Sequence, residues 1–315
     1  MIKTWCVGLG MALAGIQNAT AQSVFTVVPL GVKGGVDESN LSAYLVAPAG
    51  SAEYVCLDAG TVYNGVVRAV ARKALPGPAA ETIRTRIKGY LVSHAHLDHV
   101  AGLLLGAPDD APKPIYGLPE CLATLQNDYF NWRAWPNFGP AGNPPALGKY
   151  QLRELTPGPE QALTNTAMSV RTFRLSHGRP FQSAAFLVRS GSSYLLYLGD
   201  TGADTVEQTD NLRQLWQVVA PLVQARQLKA IFIETSYANA QPAKQLFGHL
   251  TPVLLLQELA VLGQLAGGPG ALQGLPIVIT HRKPSNESAI QQELRQANTL
   301  GVRLVFPEQG RRLRF

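Results

Sequence analysis

Six consecutive positions, His94-Ala95-His96-Leu97-Asp98-His99, hold three histidines and an aspartate, and half of the chain's six histidines fall within them. The preceding residues, Gly89 to Ser93, read as a buried strand that ends here. Side chains alternate along extended backbone, so His94, His96 and Asp98 can project to one side of the strand's end. His99 then opens a helix that Val100, Leu103 and Leu104 continue. Neutral imidazole and carboxylate are the ligand types that zinc takes. A lone histidine is ordinarily structural, but this density on one strand-to-helix turn describes a metal site.

The other three histidines each follow or adjoin a strand-like run. His177 comes after Val170 to Ser176, His281 after Pro276 to Thr280, and His249 lies in Phe247-Gly248-His249-Leu250-Thr251-Pro252. Asp200 ends the run Tyr194 to Gly199, where a carboxylate has no apolar reason to sit. Rigid sheets position functional groups at strand ends while loops give access.

Further strand-like runs fall near 24–30, 42–47, 53–58, 87–93, 168–175, 184–189, 193–198, 229–233, 275–280 and 302–306. Helical spacing marks 62–74, 98–106, 118–130, 210–226, 251–266 and 285–299. Pro- and Gly-rich stretches at 75–79, 107–114 and 136–148 read as loops, the last long enough for a lid. Early hairpins with interspersed helices fit an α/β chain whose sheets are covered by outer helices better than a simple doubly wound sheet. No internal repeat and no dividing linker is present.

The order His94-Ala95-His96-Leu97-Asp98-His99, His177, Asp200, His281 resembles the metallo-β-lactamase superfamily, and Asp58-Ala59-Gly60-Thr61 is similar to its early aspartate–glycine turn. Within it, His-x-His-Leu-Asp-His-Val-x-Gly-Leu, Gly248 to Pro252 and Thr280 to Pro284 resemble class II cyclic-nucleotide phosphodiesterases. The resemblance implies a four-layer αββα sandwich over residues 22–315, with two divalent ions, zinc being the ion expected. It implies His94, His96 and His177 at one ion, Asp98, His99 and His281 at the other, and Asp200 bridging. The implied reaction is hydrolysis of cyclic AMP or cyclic GMP to the nucleoside 5′-monophosphate.

Glu234-Thr235-Ser236 followed by His249 resembles the glutamate–histidine pair of related phosphodiesterases, including tRNA-processing enzymes. The likeness implies His249 as general acid, oriented or raised in pKa by Glu234, with Asp98 also counted in the catalytic group. By themselves these residues also read as a histidine behind the ligands and a glutamate bonded to backbone. Lys283 and Arg282 are candidates to meet the phosphate, and Asn64 to face the pocket, with a solvated surface residue as the commoner reading of each. Ser285 or Asn286 reads as a helix cap. Trp132 and Trp135 are candidates to stack on a nucleobase, with packing as the plainer reading.

The competing readings are another two-metal hydrolase of the fold, acting on other phosphodiesters, β-lactams, thioesters or sulfate esters, and a non-catalytic metal-binding protein. A structural zinc site closes with four ligands, whereas seven predict open positions. Met1 to Ala21 has one basic residue, an apolar run from Trp5 to Ile16 and the small-residue sequence Ala19-Thr20-Ala21. That is the order of a secretory signal cleaved after Ala21, and its apolar run of roughly a dozen residues falls short of the ~20 that span a bilayer. The expectation is a periplasmic or secreted protein with no membrane span. At 46% hydrophobic and 15% charged, the chain suits a buried core rather than disorder. The net charge of +6 suits an anionic small molecule, but no basic stripe is dense enough for nucleic acid. A homodimer stays open, as does a disulfide between Cys56 and Cys121, which needs a specific separation.

Overall fold

Alternation along the strands sorts the apolar residues into three layers. In β1 (Phe25–Gly31) Val28 and Leu30 face one way while Phe25 and Val27 face the other. In β2 (Ala43–Pro48) Ala43, Leu45 and Ala47 oppose Tyr44 and Val46 in the same manner. Strands buried on both faces need cover on both sides. The computed structural model, which describes residues 1–2 and 24–315, supplies it with two face-to-face sheets and helices outside each. The secretory-signal reading of residues 1–21 falls almost wholly on residues outside those described.

The first sheet runs β14 (Leu313–Arg314), β1, β2, β3 (Tyr54–Leu57), β4 (Ile87–Leu91), β5 (Lys113–Gly117), β6 (Tyr150–Glu154). The second runs β13 (Arg303–Val305), β12 (Pro276–Thr280), β11 (Leu228–Glu234), β10 (Ser193–Leu198), β9 (Gln182–Ser190), β8 (Ser169–Ser176), β7 (Glu160–Ala162). Between the sheets, Tyr44 of the first meets Tyr197 and Phe232 of the second at ring-centroid distances of 5.8 and 5.6 Å. Outside the first lie α1 (Tyr63–Ala71), α2 (Ala79–Arg86), α3 (Leu97–Gly106) and α4 (Pro119–Thr124). Outside the second lie α5 (Asp204–Glu207), α6 (Asn211–Gln224), α7 (Pro252–Leu265) and α8 (Glu287–Ala297). Their buried faces close the outer core layers around Trp216, Leu259 and Ile290. The architecture is the expected four-layer αββα sandwich, and among the described residues no helix is long and apolar enough to cross a membrane.

The structure adds elements to the sequence reading. The stretch read as a loop at 107–114 runs into β5, and α2 begins at the end of the one at 75–79. The helix expected over 118–130 is α4 followed by a π-helix at Leu125–Tyr129. Cys56 and Cys121 are separate buried thiols.

Candidate metal centre

The carboxyl ends of β4, β8, β10, β11 and β12 open onto one cleft. The β4 strand stops at Leu91, two residues earlier than its apolar run suggests. His94 and His96 therefore lie in a loop, and Asp98 and His99 in the first turn of α3, rather than alternating on one strand. His177 follows β8, Asp200 follows β10, Glu234 ends β11, His281 follows β12, and His249 precedes α7.

Four imidazoles have one ring nitrogen tied behind them. Ser93 Oγ donates to Asp58 Oδ2 at 2.8 Å, so it accepts from His94 Nδ1–H at 3.0 Å. His99 Nδ1–H donates to Asp58 Oδ2 at 2.8 Å, and His177 Nδ1–H to the Gly248 carbonyl at 3.0 Å. Ser236 Oγ gives its hydrogen to Glu234 Oε2 at 2.5 Å and accepts from His281 Nδ1–H at 2.9 Å. Each Nε2 is thereby left with its lone pair toward the cleft, the arrangement that orients histidine ligands.

These inner atoms gather in two groups around Asp200. His96 Nδ1 is 3.1 Å from His94 Nε2 and 3.3 Å from His177 Nε2. Ligands about 2.0–2.1 Å from a tetrahedral ion stand roughly 3.3 Å apart, so this trio has the spacing of a coordination shell. In the second group His281 Nε2 is 3.0 Å from Asp98 Oδ2. Asp200 Oδ2 faces both, 3.3 Å from His99 Nε2, 3.2 Å from His281 Nε2, 3.9 Å from His94 Nε2 and 3.8 Å from His177 Nε2. His99 Nε2 is buried without a hydrogen-bond partner among the described residues, a cost that a cation would remove. The residues fit divalent metal ions, and all seven ligands expected from the sequence converge.

The electrostatics agree. Burial, with neighbouring imidazoles, holds His94, His96 and His177 below the usual histidine range, the neutral form a metal ligand needs. Burial also works against charge on His99, but Asp200, Asp58 and Asp98 outweigh it and raise its pKa. The surroundings thus call for positive charge at that nitrogen, which a cation supplies in place of a proton. Burial would raise Asp200 and Asp98, but facing histidines hold both below the carboxylate range.

Glu234 Oε1 accepts from His249 Nδ1–H at 2.7 Å and from the Thr201 amide at 3.0 Å. Burial opposes the imidazolium at His249, yet the Glu234 carboxylate prevails and raises its pKa. The cleft holds about 350 Å³ and is lined by His96, Asp98, His177, Asp200, His249 and Lys283, among others. Lys283 therefore lines the cleft.

Arg282 does not. It is 2% exposed, pairs with Glu287 at 2.9 Å and donates to the carbonyls of Ile279 and Pro307. Next to the left-handed residue His281 (φ 48°), Arg282 is an internal brace. Asn64, on α1, lines a separate cavity with Tyr63, Arg84 and Asp109, away from the ligands. Trp132 donates its indole N–H to the Pro145 carbonyl and Trp135 packs on the first core layer, so neither lines the cleft. Asn286 sits at the start of α8, but its side chain accepts from the Ala238 amide instead of capping.

The sequence reading noted Asp58 only as part of a turn, and missed its role and that of the Gly34-Gly35 pair. Asp58 accepts from Ser93 N–H at 2.7 Å and the Tyr197 hydroxyl at 2.6 Å besides Ser93 Oγ and His99. The Gly35 amide donates to Asp98 Oδ2 at 3.0 Å. Gly34 lies so close to His281 that any Cβ there would overlap the ring. The Gly34-Gly35 pair was the available signal.

Residues 78–310 match the family of class-II cAMP phosphodiesterases. A 3′,5′-cyclic-nucleotide phosphodiesterase of Aliivibrio fischeri is 43% identical, with all of both chains covered. The crystal structure of unliganded yeast PDE1 superposes with a TM-score of 0.81 at 23% identity, covering 93% of this chain and 100% of that one. A metallo-beta-lactamase fold protein from Bacillus subtilis gives 0.60 at 15%, over 93% of this chain and 100% of its own. The fold is thus that of the metallo-β-lactamase proteins, and the chain belongs to the class-II cAMP phosphodiesterase family.

Proposed function

We propose that this chain is a 3′,5′-cyclic-nucleotide phosphodiesterase that uses two zinc ions and yields the nucleoside 5′-monophosphate. The reading rests above all on one juxtaposition, seven converging ligands beside a buried Glu234–His249 pair in a single cleft. His94, His96 and His177 would hold one ion and Asp98, His99 and His281 the other, with Asp200 facing both groups. Ions held there lower the pKa of water toward neutrality and polarise the phosphoryl oxygens.

The chain's own residues do the rest. Lys283 Nζ, seated over the Tyr237 ring at 5.3 Å, lines the cleft as a cation for the phosphate. Attack of water on phosphorus breaks the bond to the 3′-oxygen, which leaves as an alkoxide and needs a proton. His249 supplies it from the nitrogen that Glu234 leaves free. Glu234 fixes which nitrogen that is, and its charge favours the protonated ring. The residues at 1–21 act as a secretory signal, and the mature protein works in the periplasm or outside the cell.

The deciding experiment compares hydrolysis of cyclic AMP, nitrocefin and bis-p-nitrophenyl phosphate, with and without chelator. Chelator-sensitive conversion of cyclic AMP to 5′-AMP is the expected result. Turnover of nitrocefin with cyclic AMP untouched would overturn the assignment.

A further inference from the structure

Two phenylalanines stand exposed in the wall of the metal cleft. Phe181 is 55% and Phe247 67% accessible, and both line the cavity that holds His96, Asp98, His177 and His249. Exposed aromatic surface inside a concave site marks ligand contact, and about 350 Å³ lies at the small end of the roughly 300–1,000 Å³ such sites span.

Neither ring is on a loose loop. The Phe181 amide donates to the Gly178 carbonyl at 2.9 Å, and its ring meets the His96 ring edge-on at 4.8 Å. Phe247 has left-handed backbone (φ 51°), a conformation that a bulky side chain rarely adopts. Its neighbour Gly248 (φ 76°) packs so tightly on His177 and Gly178 that no Cβ fits, and its carbonyl accepts from His177 Nδ1. The contacts that aim a metal ligand therefore also place both rings. On the same wall Arg179 is exposed and has no ion pair among the described residues.

We propose that Phe181 and Phe247 form the nucleobase-binding surface, resting on the phosphodiesterase reading above. A base attached to a phosphodiester held at the ligands shares this cleft, and every base offers a π-face. Stacking reads that face and not the hydrogen-bonding edge, so these rings favour nucleoside cyclic phosphates over base-free diesters without choosing between adenine and guanine.

The test uses the metal-loaded enzyme and three substrates: cyclic AMP, cyclic GMP, and the base-free 1-O-methylribose 3′,5′-cyclic phosphate. Phe181→Ala and Phe247→Ala should each raise KM for both cyclic nucleotides by the same factor, roughly 5- to 150-fold, with kcat nearly kept. The base-free analogue should start with a high KM that neither change raises further, because the lost contact was never made. Phe247→Trp should retain the wild-type KM, whereas Phe247→Leu, apolar but without a π-face, should lose it. Metal content measured on each variant reports an intact site. Equal weakening of all three substrates, a fall in kcat alone, or no change for cyclic nucleotides would overturn the proposal. Failure of the phosphodiesterase reading shows separately, as a wild-type enzyme that turns over none of them.

Discussion

Replacing Asp58 by asparagine reverses one donor in a site where every hydrogen is assigned. Asp58 is fully buried and accepts four hydrogen bonds. Its Oδ1 takes the Ser93 amide at 2.7 Å, and a backbone N–H cannot become an acceptor. The asparagine oxygen therefore belongs at Oδ1, which puts the NH2 where Oδ2 stood. The hydroxyls of Ser93 and Tyr197 can turn to accept from it. His99 can accept only by offering a lone pair at Nδ1, which moves its proton to Nε2 and closes the atom facing Asp200. The flipped amide restores His99 but sets two buried donors against each other at Ser93. Either outcome costs about 1–3 kcal/mol. That matches the roughly 10–100-fold loss of metal affinity typical when an outer partner of a ligand histidine is changed. Metal content after dialysis against graded free zinc should show the affinity loss, and excess metal should restore turnover. A variant with full metal affinity, or one inactive at saturating metal, would refute the tautomer argument.

Other expectations follow from the same geometry. Asp200→Ala should lose metal and activity together, since its Oδ2 faces both ligand groups. His249→Ala should keep its metal and lose roughly 10²–10⁴ in turnover of cyclic AMP, but far less on a p-nitrophenyl diester whose leaving group departs unprotonated. Loss of metal from that variant would make His249 a ligand instead. Arg282→Met should lower thermal stability by about 1–3 kcal/mol, by leaving the Ile279 and Pro307 carbonyls without their donor, and leave KM for cyclic AMP unchanged. N-terminal sequencing of exported protein should begin at Gln22, and retention of Met1 would count against the signal.

The converging residues were legible because they defy their surroundings: imidazoles and carboxylates at the ends of apolar strands have few other reasons to be there. Strand position was legible wherever both faces are buried, as in β11 and β12. It faded where burial is partial. The β6 strand is mostly exposed, and β5 carries a proline and a buried lysine, Lys113, paired with Asp110. Residues that act through a ligand were hidden for a different reason. Asp58 and Ser236 reach His99 and His281 from sequence separations of 41 and 45, which no local pattern records. Adjacency misled at Arg282, whose partners, Glu287 and the Ile279 and Pro307 carbonyls, lie inside the fold rather than in the cleft.

The ligand set also bears on how the sandwich is held shut. His94, His96, Asp98 and His99 hang from the first sheet, and His177, Asp200 and His281 from the second. Ions gripped by both would act as rivets through the two halves, and their affinity would add directly to the stability of the closed state. The two thiols, Cys56 and Cys121, are buried apart and do no such joining. The consequence would be a fastening immune to reduction yet open to chelation. Metal supply would then govern how long the molecule survives proteases as well as how fast it works.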